Sequence, residues 1–138
     1  MAGYSGTPLV KKLGIKPGAR VQFLNTPSGF DLSELTAEAT VARSGSVEFA
    51  LLFVKSAAGL KKSLPALLAR ISDTPGGMVW VAWPKKASGV PTDLTEDVVR
   101  QTGLPLGWVD VKVCAIDETW SGLKFYRRKT QAKAAAGN

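Results

Sequence analysis

The stretch from Met78 to Val99, MVWVAWPKKASGVPTDLTEDVV, gathers the groups best able to do chemistry. Lys85 and Lys86 supply positive charge. Ser88, Thr92 and Thr95 supply hydroxyls, Gly89 a bare backbone and Asp93 a carboxylate. Cations beside free amides at a helix start suit a phosphate or a carboxylate. The bland reading is an exposed basic loop whose following helix is capped internally by Asp93, an acid that competes with any bound anion. Serine and threonine also cluster at helix starts for local reasons.

A second group is Asp117, Glu118 and Trp120. Paired carboxylates bind a divalent cation or work as acid and base, and a tryptophan beside them can stack on a planar ligand. Neighbours on a strand point opposite ways, so both acids reach one site only if a turn bends them together. The bland reading is a polar turn with Trp120 covering a sheet end.

The absences decide as much. The 138 residues contain no histidine, which removes imidazole triads, histidine-ligated zinc and histidine bases. Cys114 is the single cysteine, so an internal disulfide and a cysteine metal cluster are excluded. Its thiol needs a nearby cation to become reactive, and Lys112 is the candidate; the competing reading is a small apolar filler.

Alternating β and α elements are expected to hold these groups. Arg20–Leu24 reads as a strand, Asn25–Gly29 as a loop, and Asp31–Ala39 as a short helix with Asp31 as cap and Glu34 three residues on. Val41-Ala42 is a stub of strand. Glu48–Val54 and Met78–Trp83 are apolar on both faces, as buried parallel strands are, with Trp80 and Trp83 as core. Between them, Leu60, Leu64, Leu67, Leu68 and Ile71 form a helical stripe over Ala57–Ile71, with a kink or fresh start expected from Pro65 near Ser63. Pro75-Gly76-Gly77 is a turn. Asp93 with Glu96 reads as a capping box opening a helix to about Thr102, stopped by Gly103 and Pro105. Trp108–Ile116 alternates Val109, Val111, Val113 and Ala115 against Asp110, Lys112 and Cys114, and forms a hairpin with Leu123–Arg128.

The expected architecture is a single Rossmann-like α/β domain over residues 1–129, a mostly parallel sheet flanked by helices with a C-terminal antiparallel hairpin, followed by a flexible basic tail at 130–138. This order puts three loops, 25–30, 55–57 and 84–92, at one end of the sheet. The start, Gly3 to Leu9, is expected to pack over the strand ends or against a partner. No run approaches a membrane span, and MAGYSGTPLVKKLGI has no apolar core after a basic start, so a cytoplasmic location is expected.

The motifs GYSGTPLVKKLGI, WVAWPKKASGVPTDLTEDVVR and VKVCAIDETWSGL resemble the bacterial family known as domain of unknown function 3052. The resemblance runs from Gly3 to about Lys129 and implies a small α/β domain without assigning an activity. In architecture, LGIKPGARVQFL, TPGGMVWVAW and the closing hairpin are similar to the core of class I S-adenosylmethionine (SAM)-dependent methyltransferases. That family places a glycine-rich loop after its first strand and a ribose-holding acid after its second. Here those positions read Asn25-Thr26-Pro27-Ser28-Gly29-Phe30 and Arg43-Ser44-Gly45.

These departures, with the missing histidine, favour a non-enzymatic binding or regulatory module. Its partner would be a small anion, a nucleotide or a protein at Lys85, Lys86, Ser88, Gly89, Thr92, Asp93, Asp117, Glu118 and Trp120. No cofactor and no metal is assigned. The alternative is a diverged SAM-dependent methyltransferase-like enzyme. A second alternative draws on the net charge of +7: nonspecific nucleic-acid binding through the basic termini. The residues set no oligomeric state.

Overall fold

Ala50 and Leu52 pack on one side of a sheet while Phe49, Leu51 and Phe53 pack on the other, all of them buried. A strand apolar on both faces needs cover on both. The computed structural model describes residues 8–71 and 77–127 and supplies that cover. In chain order the elements are α1 (Leu9–Leu13), β1 (Arg20–Leu24), α2 (Ser33–Thr36), β2 (Thr40–Val41), β3 (Phe49–Phe53), α3 (Ala57–Leu68), β4 (Met78–Pro84), α4 (Glu96–Gly103), β5 (Trp108–Ala115) and β6 (Trp120–Arg127). Short 3-10 turns lie at Lys86–Ser88 and Leu104–Leu106.

The six strands form one sheet in the order β2-β1-β3-β4-β6-β5. The first four are parallel, and β6 runs antiparallel between β4 and β5. The core under α3 and α4 holds Leu60, Leu64, Leu67, Leu68 and Val99 against Val79, Val81, Trp83, Leu123 and Phe125. The core under α1 and α2 holds Leu13 and Leu35 against Val21, Trp80, Ile116 and Trp120. Burying each large apolar side chain contributes roughly 1.5–3 kcal/mol before entropy is counted. The mixed α/β domain expected from the sequence is the fold observed. Among the described residues no helix is long and apolar enough to cross a membrane.

Several local expectations are corrected. Leu9–Leu13, assigned no element from the sequence, is a helix closed by Gly14 in the left-handed conformation (φ 89°). α2 is a single turn; Asp31 accepts the Ser33 N–H at 2.9 Å ahead of it, and Glu34 is turned toward the Val10 N–H, 3.5 Å away. α3 runs through Pro65 with no fresh start near Ser63, and is capped by Ser56, whose Oγ accepts the Gly59 N–H at 3.0 Å. Thr95, not Asp93, caps α4, accepting the Val98 N–H at 3.2 Å. Alternation along β5 breaks between Asp110 and Lys112, where the register shifts. Asp110 sits opposite Phe125 and Lys112 opposite Lys124, so the two face opposite sides of the sheet, as an inserted bulge residue requires. The Gly3–Leu9 expectation, the Pro75-Gly76 part of the turn and the tail lie wholly or mainly outside the described residues.

Candidate functional site

From β1 the chain moves outward to β2, then returns past β1 to β3 on its other side. The connections after β1 and β3 therefore diverge, leaving a crevice at the carboxyl ends of the strands. Open α/β sheets bind ligands at such a switch point. A cleft of about 400 Å³ lies there, lined by Asn25, Pro27, Ser28, Phe53, Val54, Lys55, Gly59, Ser63 and Trp120. Its size is within the usual range for small-molecule sites.

Aromatic rings set one wall. Phe53 ends β3 and meets the Phe30 ring edge-on at 5.1 Å and the Trp120 ring at 5.1 Å. The turn off β1 sets the other. Asn25 takes the left-handed conformation (φ 58°), and its Nδ2 donates to the Phe53 carbonyl at 3.2 Å. Asparagine tolerates that conformation better than most residues. The left-handed turn off β1 is thus made by a residue that carries a Cβ, not by a glycine.

The first turn of α3 closes the cleft and is braced from a distance. Asp93 Oδ1 accepts the Ala57 N–H at 2.8 Å, and Thr92 Oγ1 donates to the Lys55 carbonyl at 2.6 Å while accepting the Leu94 N–H at 3.1 Å. The 92–93 segment thus fixes the 55–57 loop.

The remaining sequence candidates lie outside the lining of this cleft. Lys85 donates its N–H to the Thr119 carbonyl at 2.8 Å, joining the 84–89 loop to the turn that carries Trp120. Ser88 Oγ donates to the Lys85 carbonyl at 2.6 Å and accepts the Val90 N–H at 3.2 Å. Gly89 follows in a left-handed conformation (φ 80°), and the Lys86 side chain is exposed. Asp117 Oδ1 accepts the Thr119 and Trp120 N–H groups, both at 2.8 Å, so it organises the turn, while Glu118 is exposed. Of the nine candidates, Trp120 lines the cleft. Asn25, Ser28, Phe53, Lys55 and Ser63 were missed as individual residues, although the 25–30 and 55–57 loops were placed at this end of the sheet.

Lys55 is the only ionisable side chain of the lining. Among the described residues the groups with shifted pKa lie outside the lining: Arg100 is raised by its hydrogen bond to Asp110, Asp110 is lowered by the same bond, Asp31 is lowered by the Ser33 N–H, and burial raises Cys114. The second strand stops short of the cleft. Val41, its last residue, is level with Val21, whereas β1 continues to Leu24. Arg43, Ser44 and Gly45 line a separate hollow with Arg70, whose guanidinium donates to the Gly45 carbonyl at 3.0 and 2.9 Å.

No family model and no curated protein sequence matches the chain. Solved structures do match in fold. A SAM-dependent methyltransferase from Aquifex aeolicus has a TM-score of 0.62 at 15% identity, covering 85% of this chain and 86% of its own. Magnesium protoporphyrin IX methyltransferase from Synechocystis, with bound SAM, has a TM-score of 0.58 at 10% identity, covering 86% and 74%. Fibrillarin from Aeropyrum pernix, with natively bound SAM, has a TM-score of 0.55 at 13% identity, covering 86% and 73%. The architectural likeness read from the sequence is the fold observed. The expectation of a non-enzymatic module is corrected on the same finding, because solved structures sharing this fold include methyltransferases and a protein with natively bound SAM.

Proposed function

We propose that this chain is a diverged SAM-dependent methyltransferase whose cofactor site is the switch-point cleft between β1 and β3. The observation that carries the reading is the placement of Phe53, Trp120, Asn25 and Lys55 around one cleft at the carboxyl ends of the strands. The donor set fits the cofactor's chemistry. Phe53 and Trp120 offer aromatic surface for a base, Ser28 and Ser63 offer hydroxyls for a sugar, and Lys55 offers a cation for a carboxylate. The Ala57 and Gly59 amides of α3 are already engaged by Asp93 and Ser56, so the charge of Lys55 serves the carboxylate. Bound SAM supplies a methyl group on a sulfonium centre.

The acceptor side is assigned to Lys85, Lys86, Ser88 and Gly89, tied to the Trp120 turn by the Lys85–Thr119 hydrogen bond. Two lysines there favour an acidic acceptor. The cleft lining has no carboxylate, and the chain has no histidine. Such a site suits an acceptor that brings its own lone pair, such as a carboxylate, a thiolate or a neutral amine, and needs no protein base. A cytoplasmic setting and membership in the domain-of-unknown-function family 3052 remain part of this proposal.

Calorimetric titration of the full chain with SAM and its demethylated product tests it. Saturable binding of both is expected, weakened strongly in Ser63→Trp, which fills the cleft from the partly exposed side of α3. No heat at millimolar SAM overturns the reading.

A further inference from the structure

A second cleft, of about 340 Å³, opens at the opposite, amino end of the sheet. Phe49 and Met78, the first residues of β3 and β4, form its floor, and Gly14, Pro17, Tyr126 and Lys124 form its walls. Lys124 is the one buried charged residue among the described residues, with 9% of its surface exposed. Its ammonium lies 5.7 Å from the centre of the Trp80 ring and 5.1 Å from that of Tyr126. It donates one long hydrogen bond, 3.4 Å, to the Tyr126 hydroxyl.

Three donors on a buried ammonium call for more than one long bond. Among the described residues no carboxylate pairs with it: the ion pairs all belong to Arg100. Glu48 also lines the cleft, but its Oε1 accepts the Arg20 N–H at 3.1 Å. The wall is rigid where the ammonium emerges, because Trp80 Nε1 donates to the Leu13 carbonyl at 2.8 Å and holds the end of α1 in place.

We infer that this cleft is a binding site for a singly charged carboxylate carried on an apolar body, with Lys124 meeting the charge and Phe49, Met78 and Pro17 meeting the body. The charges of the lining, buried Lys124 and exposed Lys16 against Glu48, sum to one positive, which matches one negative charge. The Glu48 carboxylate in the same wall disfavours a multiply charged phosphate. The aromatic rings stabilise the cation without neutralising it, leaving its charge available to a ligand.

The chain has two methionines, Met1 and Met78, so a methyl-labelled methionine sample of the full protein reports the cleft directly. Benzoate is the probe, with benzamide as its neutral counterpart and inorganic phosphate as the second anion. Benzoate is expected to move the Met78 methyl resonance saturably, with benzamide about tenfold weaker. Lys124→Met should abolish that preference. Glu48→Gln keeps the acceptor for Arg20, leaves Lys124 in place and should tighten benzoate. The inference is overturned if benzamide equals benzoate, if phosphate binds more tightly, if Glu48→Gln does not tighten benzoate, or if Met78 stays unmoved at ~10 mM benzoate, a concentration that reaches even weak sites.

Discussion

Asp93 and Ala57 are 36 residues apart in sequence, yet the Asp93 carboxylate accepts the Ala57 backbone N–H at 2.8 Å. The acid sits at the start of a helix that is not its own. α4 has Thr95 as its cap, which frees Asp93 to neutralise an orphan amide at the positive end of α3. With Thr92 holding the Lys55 carbonyl, two loops after neighbouring parallel strands become one unit beside the cleft.

Replacing Asp93 with alanine should therefore lower stability by about 1 kcal/mol, the usual cost of a lost N-terminal capping acceptor. Asp93→Asn keeps an acceptor and should cost less. Urea unfolding gives both values. On the proposed function, SAM affinity should fall in parallel in Asp93→Ala, because the loosened turn carries Lys55 and Gly59.

Gly103 is set by packing and not by turn geometry. A methyl group there would lie 2.5 Å from Phe125 Cε1, and that ring is fully buried. Gly103→Ala should cost roughly 1–3 kcal/mol as an overpacked contact, despite the better helix propensity of alanine. An increase in the thermal midpoint of Gly103→Ala would refute this account.

The strands were legible because their evidence is local. Runs such as Phe49–Phe53 and Met78–Pro84 are apolar on both faces whatever else the chain does, and Leu60, Leu64, Leu67 and Leu68 repeat at helical spacing. The cleft was half legible. Topology placed the 25–30 and 55–57 loops at the right end, but nothing in the string Asn25-Thr26-Pro27 announces that asparagine adopts the conformation of a glycine. The Asp93–Glu96 spacing pointed to a capping box, since a local pattern carries no information about a partner 36 residues away. Lys124 reads as an ordinary strand lysine until the fold places Trp80 opposite it.

Asp110 should make stability depend on pH in the acid range. The Arg100 guanidinium, 2.8 Å away, holds its carboxyl below the ordinary carboxylate range. A carboxylate whose folded value lies below its unfolded value stabilises the fold fully above about pH 4. That contribution is lost as pH falls through the lower, folded value. Asp110→Asn should lower the thermal midpoint at pH 7 and flatten its decline in acid. Equal midpoints of the two proteins at pH 7 would refute the assignment.

Cys114 should be a slow nucleophile at neutral pH. Burial raises its pKa, outweighing the opposing pull of Lys12, Lys112 and Lys124. The thiolate is the reactive form, so alkylation by iodoacetamide should lag behind a free thiol at pH 7 and accelerate only above the ordinary thiol range. Lys12→Met removes one favourable charge and should slow the reaction further. Mass spectrometry of the timed reaction gives the rates.

Asn25 separates conformation from hydrogen bonding at the cleft. Its φ of 58° strains any residue with a Cβ, and its amide donates to the Phe53 carbonyl at 3.2 Å. Asn25→Gly relieves the strain but loses the bond, with a net cost of roughly 0.5–1.5 kcal/mol. Asn25→Ala loses the bond and keeps the strain, so it should be less stable than Asn25→Gly by about 1 kcal/mol. In most strand or loop positions alanine is the more stabilising of the two. The reversed order at position 25, measured by urea unfolding, is the signature of a left-handed turn. If the turn shapes the cofactor cleft, Asn25→Gly should also keep more SAM affinity than Asn25→Ala. Alanine matching or exceeding glycine in stability would remove the turn from the argument, and with it the stand-in for a glycine-rich loop.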